Sequence, residues 1–452
     1  MTVGQWRRGR ATHRAGELPR LLILTLIFPP DGVSTAQLLG EIAQDLHGAT
    51  FDVSVITTQP HYNCDCEARA NQPIQWAWHR MVGRSHFHDI AVTHVRMPDK
   101  AAGRVRRGLQ WAWFHFASLP LALLRARPDV VLAVSPPPSI ALVARAVRLL
   151  RGTPFVLALW ELYPEILVRL GKLRRGSIAH RVLRWLERRT YERAAAIAVL
   201  HDEMGEMVAR SLPSIRDRIR VVPTFADTDF LRPLDRNTTL RRELGLADRF
   251  VVGYAGNLGV SQDLTSLLEA AHLLRDTPIA FLIAGDGTER SKLEELAAKL
   301  DLPNVRFTGH LPYSRVPEIT ATCDLCIVSL AAGVSAEALP SKVYRIMACG
   351  RPVLAIADES GPLAQLVNGS GTGTTCRPDD PAALAASIAA LSEAPEQITG
   401  LGTRAREVAL ASFSRSAVIS RYSALLTAAR SGVGEVGPDV QGPSANDVVS
   451  NA

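Results

Sequence analysis

Short, unbroken apolar runs recur along this 452-residue chain, each closed by turn residues and separated from the next by a helical length. In the first half they are 21–28, 53–56, 130–134, 155–160 and 197–200; in the second, 250–255, 280–284, 305–307, 325–330 and 352–357. Runs that are continuous rather than alternating predict strands buried on both faces, which means parallel sheets between helix layers. The expected fold is therefore α/β, with two doubly wound, Rossmann-like domains over 20–223 and 228–412. Between them, Val221 to Pro233 is proline-flanked and lacks helical periodicity, as a linker would. Ligands of open α/β sheets sit beyond the carboxyl ends of the strands, so two such domains predict one shared cleft. Residues 1–19 and 432–452, rich in small, polar and charged residues, are expected to be disordered.

One segment, Ala338 to Pro352, reads as a short helix aimed at an anion. Pro340 suits its first turn, Gly350 the position past its end and Pro352 the stop. Val343, Ile346 and Met347 fall on one face, which leaves Lys342 and Arg345 on the other. Two cations near a helix start suit a phosphate, although a solvated surface helix would show the same spacing.

Composition, 47% apolar and 21% charged, is that of an ordinary globular protein. Charge is uneven: residues 1–230 carry 31 Lys+Arg against 20 Asp+Glu, and the remainder 20 against 24. No zinc-finger spacing, helix-turn-helix signal or aromatic RNP-like strand accompanies the basic half, so nucleic acid is not expected as partner. An anionic membrane surface fits better. Residues 104–127 place Trp, Phe and Leu between arginine clusters, as an interfacial helix does, although a core helix with arginine ends reads the same; 172–193 is a second basic stretch. The core of 104–127 is too polar to span a bilayer. The apolar run at 21–28 lacks a small-residue cleavage site, so a first strand is expected rather than a secretory leader. Six cysteines form no disulfide framework, and neither Cys323-x-x-Cys326 nor Cys64-x-Cys66 has a second pair to complete a metal site. Reduced thiols, a cytoplasmic location and no metal are the expectation.

Three loops follow strands of the second half. Gly253-Tyr-Ala-Gly256-Asn257-Leu-Gly259 and Gly285-Asp286-Gly287 are glycine turns whose backbone could approach a phosphate. Thr308-Gly-His310-Leu311-Pro312 is the third. The fingerprint of a dinucleotide-binding dehydrogenase is missing its third glycine. In the first half, Phe28-Pro-Pro-Asp31-Gly32-Val-Ser34, Ser135-Pro-Pro-Pro and Trp160-Glu161-Leu-Tyr163-Pro-Glu165 close strands in the same way. Glu161 and Glu165 could orient a hydroxyl or simply favour a helix start.

From about Arg20 to Arg430 these words together resemble family 4 of the glycosyltransferases with the two-domain GT-B fold, in particular the WbuB-like and WcaI-like branch that builds bacterial surface polysaccharides. The resemblance implies a retaining transfer of a sugar from a UDP or GDP sugar to a lipid-linked or oligosaccharide acceptor, without a metal or other cofactor. It implies that Gly256, Asn257, Gly259, Gly285, Asp286, Gly287, His310, Leu311, Glu337, Ser341, Lys342 and Arg345 bind the donor. Gly32, Ser34, Tyr163 and Glu165 would meet the acceptor, with Asp31, Glu161 and Lys342 at the chemistry. It also implies that a last helix, 413–431, returns to the first domain; the basic first half, for its part, suggests a peripheral place on the inner face of the plasma membrane.

Two departures stand out. Many relatives carry an Arg and a Lys in the first glycine turn, where this chain has Asn257, Gln262 and Asp263. The family's Glu-x7-Glu pair begins at Glu337 but ends in Arg345, and a guanidinium cannot accept the ribose hydroxyl protons that a carboxylate accepts. Arg345 is therefore expected to act as a second diphosphate cation, although backbone binding of ribose or loss of activity would also follow. A nucleotide-sugar 2-epimerase of the same architecture and an inactive sugar-nucleotide-binding relative are the alternatives.

Overall fold

The computed structural model describes residues 17–61, 66–97, 104–137, 139–169, 171, 173–334 and 338–432. Most of the two terminal extensions, and Glu337, lie outside these. The chain forms two compact units. The first runs to Leu200 and includes Met204–Val222 and the residues from Ile419; the second is Pro223–Val418 with His201–Glu203.

The first unit is built on β1 (Arg20–Leu24), β2 (Asp52–Thr58), β3 (Gln75–Ala77), β4 (Val82–Phe87), β5 (Ile90–Val95), β6 (Val130–Ser135), β7 (Phe155–Leu159), β8 (Ala196–Val199) and β9 (Ile219–Val221). Among the described residues the sheet order is β3-β4-β5-β2-β1-β6-β7-β8-β9. Every pairing is parallel except those of β4, which runs against both neighbours. That hairpin is an addition to the expected all-parallel sheet. It sits at the edge, where one face can meet water and alternation replaces a solid apolar run.

The crossovers β5→β6, β6→β7 and β7→β8 all move the same way across the sheet, so right-handed connections place the helices Arg104–Leu124, Ile140–Arg151 and Ile178–Tyr191 in one layer. Arg104–Leu124 buries Phe114, Ser118 and Ala122 completely, and Phe114 and Ala122 belong to the main core of this unit. Its inner face packs as a core helix does, while Leu109, Phe116 and Leu124 stay exposed. No helix among the described residues is long and apolar enough to cross a membrane. The carboxyl-terminal helix, Arg415–Ser431, brings Tyr422, Leu425 and Leu426 into burial, and the Tyr422 hydroxyl bonds Trp160 within the first unit.

The second unit holds β10 (Phe250–Ala255), β11 (Ile279–Ala284), β12 (Val305–Gly309), β13 (Leu325–Ser329), β14 (Val353–Ile356) and β15 (Gly373–Cys376). They form a parallel sheet ordered β12-β11-β10-β13-β14-β15. The order reverses between β10 and β13, so the loops after these strands diverge and open a crevice there. A buried ion pair anchors the opposite end of the sheet. Arg241, with 0% exposure, meets Asp324 at 2.9 Å and the Thr322 carbonyl at 2.7 Å, while Asp324 also accepts the Val251 amide at 2.8 Å.

Candidate active site

In the second unit, a pocket of about 390 Å³ lies at the carboxyl end of β10 and runs down one face of the sheet. It brings together Gly256, Asn257, Gly285, Asp286, His310, Leu311, Lys342 and Arg345. Room for it comes from small residues: Gly253 and Ala255 of β10 and Ala284 of β11 line it, with Cys323 and Cys326 below. Gly259, Gly287 and Ser341 stand outside the lining.

The glycines of the first two turns serve the two loops before any ligand. A Cβ on Gly285 would come within 1.8 Å of the Gly256 carbonyl oxygen, and one on Gly287 within 2.3 Å of that of Leu258. Gly256 and Gly285 also hold φ of +149° and +145°, which side chains disfavour. The loops are laced together by Gly256 N–H to Ala284 O and Leu258 N–H to Asp286 O, both 2.9 Å. Two amides expected to face a phosphate are thus already occupied. Asn257 turns its amide to Gln262 at 3.2 Å and packs over Gly259.

The burden of charge falls on side chains. The helix is short, Lys342–Ala348, so Pro340 precedes it rather than opening it, and little dipole accumulates. Val343, Ile346 and Met347 are buried as the spacing predicts, and Tyr344 is buried too, against Phe413. Lys342 and Arg345, both half-buried, face the pocket. The Lys342 ammonium donates to the Tyr254 hydroxyl at 2.8 Å and sits 4.0 Å from that ring's centre; the hydroxyl donates onward to the Asn257 carbonyl at 2.7 Å. Burial first, and the Arg345 charge second, lower the Lys342 pKa to about 7. Burial pushes the Tyr254 hydroxyl up, which keeps it neutral. Arg345 lies 5.4 Å over the Tyr313 ring, itself stacked on Phe230. Among the described lining residues Asp286 is the one carboxylate, and it accepts the Gly287 amide at 2.8 Å and faces Arg290 at 4.0 Å.

Tyr254 and Tyr313 were not singled out in the sequence. A tyrosine two residues before a strand-end glycine was the available signal for the first; the second needed the fold.

In the first unit the expected residues sit at the carboxyl ends of three neighbouring strands, β1, β6 and β7. Asp31 is 6% exposed; its carboxylate accepts the His61 amide at 2.7 Å and lies 4.0 Å from the His61 ring nitrogen. Its first task is to lock its own loop. Gly32 and Ser34 are exposed beside it, Ser34 opening the helix Ser34–Leu46. Glu161 is half-buried, and desolvation raises its pKa against a hydrogen bond from Tyr163 that lowers it. Tyr163 in turn packs edge-on against Trp111 at 6.4 Å. Glu165 opens its short helix and pairs with Arg184 at 3.2 Å, which occupies it structurally.

Two family models divide the chain. Residues 35–224 match the glycosyl transferase 4-like domain, and residues 236–408 match glycosyl transferases group 1. WbjE of Pseudomonas aeruginosa, named as a glycosyltransferase, is 27% identical over 70% of this chain and 79% of its own length. WcaI of Escherichia coli K12, assigned to colanic acid biosynthesis, is 25% identical over 89% and 98%. Among solved structures, HepE of Anabaena, in complex with UDP, superposes with a TM-score of 0.68 at 16% identity, covering 91% of this chain and all of that one. WaaG, a glycosyltransferase of lipopolysaccharide biosynthesis, gives 0.61 at 17%, covering 90% and 99%. Together the two matched domains and the shared GT-B fold place this chain in the glycosyltransferases that join a 4-like amino-terminal domain to a group 1 domain.

Proposed function

We propose that this glycosyltransferase moves a sugar, with retention, from a nucleoside diphosphate sugar to a lipid-linked or oligosaccharide acceptor during surface polysaccharide assembly. The observation that carries the reading is the pair Lys342 and Arg345, both turned into the pocket beyond β10 and held by tyrosines rather than by carboxylates. A departing nucleoside diphosphate gains negative charge as the glycosidic bond breaks. Two preset cations stabilise that charge most in the transition state, which is where stabilisation accelerates the step. With both cations in place the reaction proposed needs no metal. Arg345 takes the diphosphate, not the ribose, because a guanidinium offers only donors.

His310 and Leu311, at the mouth beside Tyr313, would meet the nucleobase. In the first unit, Glu161 would hold the acceptor hydroxyl, helped by Tyr163 and the exposed Ser34 and Gly32, with Asp31 as a positioning residue. The name of WcaI and the UDP bound to HepE support the substrate classes. The inner face of the plasma membrane, in the cytoplasm, is the proposed place of work.

A thermal-shift screen against UDP, GDP, TDP and their sugars tests the reading. One nucleotide should stabilise the protein, by about 2.7 kcal/mol at a hundredfold excess over its Kd. Arg345→Ala should weaken the diphosphate far more than the nucleoside. No stabilisation by any of them would overturn the proposal, and conversion of the donor alone into its epimer would replace transfer with 2-epimerisation.

A further inference from the structure

The helix Ile178–Tyr191 shows water an apolar stripe. A surface helix ordinarily buries an apolar stripe and shows water its polar side. Here Tyr191 joins the core and Leu183 and Leu186 are half-buried, but the inner side also holds the buried Glu187 and Thr190, with half-buried Arg184 reaching both Glu187 at 3.4 Å and Glu165 at 3.2 Å. Outward, on one stripe at i, i+4 and i+7, stand Ile178, Val182 and Trp185, exposed by 73%, 49% and 55%. Among the described residues nothing covers the stripe fully, and three bulky side chains kept largely in water need a reason.

Their surroundings supply it. Arg174, Arg175, Arg181, Arg188 and Arg189 are all exposed around the stripe, and Arg189 lies 5.8 Å over the Trp185 ring. From 173 to 191 the single carboxylate is the buried Glu187; Glu192, just past the helix, is the first exposed acid. The same helix layer also exposes Phe116 and Leu109 on Arg104–Leu124, and Leu149 and Leu150 on Ile140–Arg151.

We propose that this helix docks the first unit on an anionic lipid bilayer, lying in the plane of the surface. Ile178, Val182 and Trp185 would enter the boundary between headgroups and acyl chains, while the arginines extend their stems along it and keep their charges among lipid phosphates. Charge complementarity selects this occupant. A second copy of the chain would bring the arginines of two such helices face to face, which like-charge repulsion opposes. An acidic protein would satisfy the arginines but has no general need of a narrow apolar stripe framed by them. This inference does not rest on the transfer reaction, because the helix and the diphosphate pocket belong to different units.

Flotation of the full chain with phosphatidylcholine vesicles, with or without phosphatidylglycerol, tests it without any need for activity. Binding is expected to the anionic vesicles and to weaken with salt. Arg181→Gln with Arg189→Gln should cost roughly fivefold per arginine. Val182→Ser with Trp185→Ser should cost about tenfold or more, and Trp185→Phe should retain binding. Melting curves of these variants should stay close to the parent's, since none of these side chains belongs to the core. Equal binding to both vesicle types, or binding that ignores these substitutions, would overturn the proposal. A concentration-dependent dimer abolished by Val182→Ser with Trp185→Ser would overturn it in favour of a second copy.

Discussion

Lys342 gives the pocket a measurable signature. With its pKa lowered to about 7 by burial and by the neighbouring Arg345, half the free protein carries this charge at neutral pH. At pH 9 only about one molecule in a hundred does. If the charged form alone grips the diphosphate, the apparent Kd rises roughly fiftyfold between pH 7 and pH 9, with about half a proton taken up per ligand at pH 7 and nearly one at pH 9. Calorimetry with the nucleotide sugar in two buffers of different ionisation enthalpy reads both numbers, and a nucleotide sugar avoids the titration of a terminal phosphate. Lys342→Met should flatten the dependence at a weak affinity. Arg345→Gln removes the second cause of the lowered pKa, so the fall in affinity should begin at higher pH even though binding at neutral pH weakens. The same shift acts on stability: between pH 7 and the ordinary lysine range the unfolded chain holds a proton that the free folded protein has released, so this group makes the free protein more stable as pH rises. Affinity unchanged from pH 7 to 9 in the parent protein would refute the reasoning.

Three other substitutions probe different layers. Gly285→Ala, which drives a Cβ within 1.8 Å of the Gly256 carbonyl at a φ of +145°, should lower stability by about 3 kcal/mol or more and abolish nucleotide binding; chemical denaturation measures the first and calorimetry the second. Arg241→Met leaves Asp324 with the half-exposed Arg236 at 3.3 Å as its remaining cation and should cost about 3 kcal/mol in denaturant titrations, with Asp324→Asn restoring part of the loss. Glu161→Gln should leave donor affinity unchanged while transfer falls about a hundredfold or more, and the acid limb of kcat/KM, displaced above the ordinary carboxylate range by burial, should vanish with it.

The ten continuous apolar runs each became a strand, because a strand covered on both faces has no polar positions to blur its signal. β3 and β4 carry no such run for the opposite reason, and in β5 the run is broken by the buried Thr93 and His94. Val82–Phe87 alternates the exposed Arg84 and His86 with the inward Gly83 and Ser85, neither of them a bulky apolar residue, and the turn before it passes through Trp78, His79 and Arg80 at positive φ, residues that carry no turn signature. β15, Gly373-Thr-Thr-Cys, has no apolar run at all; it is a strand because Gly373 lets it lie against Val353, where a Cβ would be 1.8 Å from the carbonyl.

For the site, spacing alone revealed Lys342 and Arg345 on one helix face, but not the state of their charges, which depends on residues far away in the chain. Tyr254 is 88 positions before Lys342, and Tyr313 comes from a third segment. These partners decide what the pocket is. An arginine set beside a lysine ordinarily finds a carboxylate in a folded protein; here each cation rests on an aromatic ring, and the lining's carboxylate, Asp286, is turned to its own loop and to Arg290. Burial of the Lys342 ammonium, with repulsion from Arg345 added to it, therefore makes Lys342 shed its proton readily. Replacing the expected carboxylate by Arg345 sharpens this imbalance. On the proposed function, the free-energy cost carried in the empty site would be recovered when two negative phosphoryl groups arrive, and Arg345 in place of the motif's carboxylate would strengthen selection for a diphosphate where its charge develops.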